Sequence, residues 1–259
     1  MESKSKGWKS LVLPQICRAV LNRVVLSSIL NYLMGCFLLP IGITNKIDAI
    51  QRDFWWGKDS GGRGFYPRAW PYLCKPIAKG GLGFRNAHRF NLAMLAKVAW
   101  RLIKEPNALW VKSMRSKYFR NKSPFKTKIS SNNSWTWKCI KKGLDLVQQY
   151  SMWEVVNGQE INIWDDKWIP GLDSTIDYLK NSSNNSLVKM ADLIIPETSS
   201  CNLPIIFSVF PTDIANKIRT IHIFVGDHQN TRTHQLRWNL TNNGEFTVKS
   251  MYDKLNEME

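Results

Sequence analysis

Residues 80–119 read GGLGFRNAHRFNLAMLAKVAWRLIKEPNALWVKSMRSKYF. From Asn91 the apolar positions Leu92, Leu95, Ala96, Ala99, Leu102 and Ile103 fall at i, i+3, i+4, i+7, i+10 and i+11, one face of a 3.6-residue helix. Pro106 cannot continue that helix, because it lacks an N–H and its ring clashes with the preceding turn. Asn107 is placed to cap a second helix, in which Trp110, Met114 and Tyr118 recur every four residues and face inward. Lys97, Arg101, Lys104, Lys112, Arg115 and Lys117 line the outside, with Glu105 the one acid among them. The stretch reads as a helical hairpin that packs on one side and meets a polyanion on the other.

Outward from it, 259 residues are enough to bury a core and to hold one or two domains. The net charge of +16 is unevenly placed. Residues 1–150 carry 27 Lys+Arg against 6 Asp+Glu, whereas residues 151–259 carry 9 against 14. The first part therefore suits nucleic acid or an anionic surface, and the second does not. A basic, merely solvated surface is the plain alternative. The five cysteines are scattered and never form a C-x-x-C pair, which gives neither a disulfide framework nor zinc-ligand spacing. A reducing compartment, nuclear or cytoplasmic, is expected. MESKSKGWKS has no apolar run directly behind its charges, so no cleaved signal peptide is expected. Residues 24–43 are charge-free and about long enough to cross a bilayer. Ser27, Ser28, Asn31 and Pro40 interrupt them, leaving a core helix and a membrane helix as competing readings.

In chain order, residues 8–39 read as one long or broken helix closed by Pro40. Thr44 or Asn45 would cap the next, with Ile47, Ile50 and Phe54 on one face. Gly57–Gly64 is a glycine-rich loop, and the prolines of 65–79 imply an extended connector or short strand. Residues 120–134 read as a basic surface loop. Residues 134–150 read as a helix with Trp137, Ile140, Leu144 and Val147 inward and Lys138, Lys141 and Lys142 outward. At Trp153 the pattern turns to strand. Asn157-Gly158, between Val155-Val156 and Ile161/Ile163, predicts a β-hairpin. Short helices are expected at 188–195 and 213–223, and the tail from Leu236 as strand, Asn-Gly turn, strand and helix. The expected fold is α+β, mainly α: a basic helical domain over 1–150, then a small α+β segment over 151–259.

Catalytic patterns are weak. Asp165-Asp166 could hold two magnesium ions as nucleotidyl transferases do. That needs a third carboxylate from an earlier buried strand, and Glu2, Asp48, Asp53, Asp59, Glu105 and Asp145 offer none. The pair reads instead as a polar turn bonded locally or to Lys167. Gly80–Gly83 lacks the P-loop pattern and reads as a turn. The four histidines have no metal-ligand spacing. The expectation is therefore no enzyme, no metal and no cofactor. What remains is phosphate contact, because basic side chains release counterions from nucleic acid. Between Lys97 and Lys142 stand thirteen Lys+Arg and one acid, including Arg120, Lys122, Lys126 and Lys128. Trp100, Trp110 and Tyr118 follow the apolar stripe and read as core.

Together these motifs resemble the region after the polymerase palm in plant LINE-type (non-LTR) retrotransposon reverse transcriptases. The resemblance runs through Gly7-Trp8-Lys9, Arg18, Phe54-Trp55-Trp56-Gly57, Trp70, Gly80–Gly83, Asn91, Lys97, Trp100-Arg101, Leu109-Trp110 and Lys117-Tyr118. It resumes at Gly158, Ile161, Trp164, Asp166 and Trp168, then at Trp238, Asn243-Gly244, Phe246, Lys249-Ser250 and Tyr252. Cys17 and His234 depart from it, at positions where glycine and aspartate are usual. The resemblance implies a thumb-like or connector region gripping template–primer, with the palm and endonuclease upstream and a zinc module and ribonuclease H segment downstream. The charge pattern places the expected phosphate contact at Lys97, Arg101, Lys104, Lys112, Arg115, Lys117, Arg120, Lys122, Lys126 and Lys128. The partners implied are RNA or DNA and, as an alternative, a separate palm domain on which the apolar faces dock.

Overall fold

Prolines and glycines set the helix boundaries in the computed structural model, which describes residues 13–58, 65–120, 123–155, 158–159, 161–164, 166–172, 187–195, 200–221 and 235–258. Pro14 precedes α1 (Gln15–Leu21), whose end passes into a π turn over Asn22–Leu26. After α2 (Asn31–Cys36), Pro40 precedes α3 (Ile41–Trp56), which Gly57 terminates at φ 65°. Pro71 lies in the first turn of α4 (Trp70–Leu73), and α5 runs from Ala87 to Lys104, just short of Pro106. Next come α6 (Leu109–Met114), a second π turn (Arg115–Phe119) and α7 (Trp135–Tyr150). Pre-set φ and a missing N–H make proline a starter rather than a continuer of helix, and glycine accepts the left-handed exit. The fold is α+β, mainly α.

Two compact units divide the chain: Met1–Val147 with Phe246–Glu259, and Gln148–Glu245. In the first, α5 is the central helix. It packs against α2, α3 and α10 (Val248–Glu257). Ala93, Leu95, Ala96 and Ala99 on its inner face are fully buried. Small alanines let neighbouring backbones approach, and a Cβ at Gly143 of α7 would collide with the Leu95 carbonyl. Asn91 is fully buried on the same face. Its Oδ1 accepts from Leu39 N at 2.8 Å, and its Nδ2 donates to the Met34 and Phe37 carbonyls at 2.8 Å each. One side chain thus satisfies three backbone groups where α2 ends, which a buried chain requires.

The start of α5 is tied equally firmly. Asn86 caps it, accepting from Arg89 N at 3.0 Å. Asp48 of α3 accepts from Ala87 N at 2.9 Å and from the Asn86 amide at 3.1 Å. The Tyr252 hydroxyl of α10 accepts from Asn86 N at 2.8 Å and donates to Phe84 O at 3.5 Å. Burial raises the Asp48 carboxyl to about 6, opposed in part by the Ala87 N–H, and raises Tyr252 to about 12.

The second unit has its own core, with Ile161, Ile163, Trp168, Ile169, Met190, Leu193, Ile206, Phe210 and Ile218 all at most 1% exposed. α8 (Leu203–Val209) and α9 (Thr212–Arg219) frame it. Two antiparallel pairs complete it: β1 (Ser151–Glu154) with β4 (Gln235–Trp238), and β2 (Ile194–Ile195) with β3 (Ser200–Cys201).

Of the two forms expected before Pro40, one long helix or a broken one, the described residues show the broken one, interrupted at Asn22–Leu26 and again before Asn31, where turn bonds such as Ser28 N to Val25 O replace the helical ladder. Several other expectations change. α3 starts at Ile41, before Thr44, whose hydroxyl bonds back to Ile41 O inside the helix. Residues 65–79 hold α4 and a 3₁₀ turn (Ile77–Lys79) instead of a strand. β1 pairs with the distant β4 and not with residues 161–163, since burial draws Ile161 and Ile163 into the core. Val156 and Asn157 lie outside the described residues. Gly158, at φ 71°, abuts Ala191, whose N–H bonds its carbonyl at 3.0 Å. Residues 188–195 form a 3₁₀ turn (Met190–Leu193) followed by β2. After β4 the turn closes through Trp238 N to Gly244 O, and no second strand precedes α10. No described helix is long and apolar enough to cross a membrane.

Candidate nucleic-acid interface

Both expected basic helices are present, the second in altered form. α5 begins about one turn earlier than its periodicity implied and ends at Lys104. Asn107 does not cap α6. Ala108 occupies that position and no side chain caps it. The π turn at Arg115–Phe119 adds a residue to the turn and rotates the inward face. Val111 and Phe119 are buried, while Trp110, Met114 and Tyr118 are half-buried. Tyr118 and Phe119 stack on the fully buried Trp137 of α7, with ring centroids 4.7 and 5.7 Å away. The Tyr118 hydroxyl donates to Ser134 Oγ at 2.7 Å, which also accepts from Trp137 N at 3.3 Å. Trp100 is 6% exposed and stacks on Phe246 at 6.0 Å, so it is core.

With the rings turned inward, the surface carries cations. Lys97, Arg101 and Lys104 lie at i, i+4 and i+7, one face of α5. Lys97 and Arg101 are exposed and Lys104 is half-buried, its ammonium 5.2 Å from the Trp100 ring. Lys112, Arg115, Lys117 and Arg120 are exposed on α6 and the turns after it. Arg115 and Lys117 lie over the Phe119 and Tyr118 rings, at 6.0 and 5.3 Å. Such contacts hold the stems while leaving the charge to solvent. Lys126 and Lys128 are exposed in the following segment, and Lys122 lies outside the described residues.

Arg101 is exposed as expected but carries a partner, and Lys141 departs from expectation. Arg101 forms a bidentate pair with Glu105, both bonds at 2.9 Å, which raises the guanidinium pKa and lowers that of the carboxylate. Lys141, read as outward, is 9% exposed. Its ammonium donates to Phe125 O at 2.6 Å and pairs with Asp145 at 3.2 Å. It anchors the 3₁₀ turn (Pro124–Lys126) that presents Lys126. A lysine at the edge of an apolar stripe gives no sign of which way it turns.

The other candidates are spent on structure. The N–H groups of Gly80, Gly81, Leu82, Gly83 and Phe84 all bond to carbonyls of Leu73, Lys75, Pro76 or Ile77, leaving none for a phosphate. Asp166 accepts from Asn162 N at 2.8 Å, and Asp165 lies outside the described residues. His88 is half-buried, which lowers its pKa, and His222, His228 and His234 lie outside the described residues. No metal-holding cluster of His, Cys, Asp or Glu occurs among the described residues.

No family model matches the chain. A protein of Arabidopsis thaliana named "Putative ribonuclease H protein At1g65750" is 30% identical over 98% of this chain, and the chain spans 41% of that relative's length. The expectation of no enzyme is contradicted by this match, because the relative is named as a ribonuclease H protein. The uncharacterized mitochondrial protein AtMg00310, from the same plant, is 33% identical over 53% of this chain. The chain covers 90% of that protein, and it belongs to the same family as AtMg00310.

Proposed function

We propose that the chain is part of a longer, LINE-type reverse-transcriptase polyprotein of plant transposon origin, in which its first unit grips RNA or DNA by the phosphates. The contact residues are Lys97, Arg101, Lys104, Lys112, Arg115, Lys117, Arg120, Lys122, Lys126 and Lys128. The observation that carries this reading is the α5–α6 surface, where Lys97, Arg101, Lys112, Arg115, Lys117 and Arg120 are exposed while the Trp100 and Phe119 rings are buried. Contacts of that kind position a strand without reading its sequence. The longer relative's name, a putative ribonuclease H protein, supports a setting in which nucleic acid is handled. Five free thiols suit a reducing compartment, nuclear or cytoplasmic. The test is affinity against salt. With four to six phosphates neutralised, log K falls against log salt with a slope of about −4 to −5. A flat response, or no binding at low salt, removes the reading.

A second reading has one observation in its favour. Ile16, Val20 and Val24 recur every four residues along α1 and its π turn and are each about half exposed or more, as are Tyr32 and Ile41. A soluble monomer rarely leaves such a stripe open, and a polymerase palm packed there would cover it. Oligomerisation of the isolated chain through this stripe is its signature in sedimentation.

A further inference from the structure

A second group of cations lies in the first unit, in residues 52–58 and 65–75, earlier in the sequence than the α5–α6 surface. The Tyr66 ring carries Arg52, its guanidinium carbon 4.5 Å from the centroid, and Lys58 at 5.8 Å. The Tyr72 ring carries Arg68 at 5.0 Å and Lys75 at 5.4 Å. Each ring therefore gathers two like charges, whose repulsion a bound phosphate relieves. Among the described residues of this stretch the carboxylate is Asp53, engaged by the Tyr66 hydroxyl at 2.6 Å and by Arg52 at 3.5 Å. Tyr72 packs against a core of Trp55, Trp70, Leu73, Cys74 and Phe84, so its platform is fixed. Beside Tyr66, Phe65 is 84% exposed. An open aromatic ring among cations is the arrangement that binds single strands, since a base offers its face only when unpaired.

We propose that residues 52–58 and 65–75 form a second nucleic-acid contact, for an unpaired strand: Arg52, Lys58, Arg68 and Lys75 take phosphates and Phe65 stacks on a base. The inference rests on the nucleic-acid reading above. It is tested on the full chain with a labelled single-stranded oligonucleotide and the duplex of the same length. Phe65→Ala should weaken single-strand binding about 5- to 100-fold without changing its salt slope. Arg68→Ala with Lys75→Ala should make the single-strand slope shallower by about 1.4. Duplex affinity should stay within about twofold in both variants. All three positions are exposed, and an unchanged unfolding midpoint shows that the variants fold. Unchanged single-strand affinity in both variants, or equal losses on single strand and duplex, overturns the proposal. If Lys112→Ala, Arg115→Ala and Lys117→Ala weaken binding while Phe65→Ala does nothing, this inference alone fails. If the wild-type chain binds neither probe, both readings fail.

Discussion

The two ends of α5 are built on opposite terms. At the Asn86 end, polar groups are sunk in the unit and each bonds to a named partner: Asp48, Asn86, Ala87, Arg89 and Tyr252 close on one another within 3.1 Å. At the Lys104 end and through α6, cations outnumber acids and point to solvent, with Glu105 taking one of them. Buried polar groups hold a fold because leaving any of them unpaired is costly. Exposed cations contribute little to stability, which leaves this cluster available for the contact proposed above. Substitutions along this one helix should separate accordingly into stability effects and binding effects.

The largest effect is expected at Asn91. Asn91→Ala strands the Leu39 N–H and the Met34 and Phe37 carbonyls, and should cost about 3–5 kcal/mol in denaturant unfolding of the first unit. A loss below about 1 kcal/mol would mean that water replaces the amide without penalty, and the contrast between the ends would weaken.

Next comes the pH dependence set by Asp48. Its folded pKa of about 6 lies above the model-compound 3.8, so the folded state binds the proton more tightly. Stability from this group is therefore highest below about pH 4, and is lost as pH rises from there through about 6. Comparing wild type with Asp48→Asn across that window isolates the effect from the other carboxylates. The wild type should lose stability relative to the variant on going from pH 4 to 7. A constant difference would show that Asp48 is ionised throughout.

The smallest effect belongs to Glu105. Glu105→Gln releases Arg101 from its bidentate pair and should raise nucleic-acid affinity about twofold at low salt, with a slope steeper by less than 1. Weaker binding would place Glu105 in a positioning role for Arg101.

Much of this arrangement was legible in the sequence, and the failures have physical causes. α5 and α7 declare themselves because long apolar stripes at helical spacing outweigh local ambiguity. Trp137, Ile140, Leu144 and Val147 are all buried as their spacing requires. α6 misleads because a π turn changes the residues per turn, so counting by four from Trp110 reaches half-buried side chains while Val111 and Phe119 fill the core. The strand at Trp153 was readable but its partner was not. An Asn-Gly pair advertises a local hairpin, whereas β1 finds β4 more than eighty residues away by tertiary packing. Asn91 was visible as a residue of the helix, but its three backbone bonds depend on a segment fifty residues earlier. For the candidate site, charge density was readable and side-chain direction was not: Lys141 and Arg101 carry the same charge as their neighbours yet are held by Phe125, Asp145 and Glu105.

The most direct measurement of the central claim is a salt titration of the wild type beside a variant with Arg101, Lys112, Arg115 and Lys117 all changed to alanine. Unfolding is followed on the same samples. The account predicts a slope shallower by about 3–4 and an affinity loss shared by all sequences, with the unfolding midpoint nearly unchanged. An unaltered slope in a folded variant would contradict it.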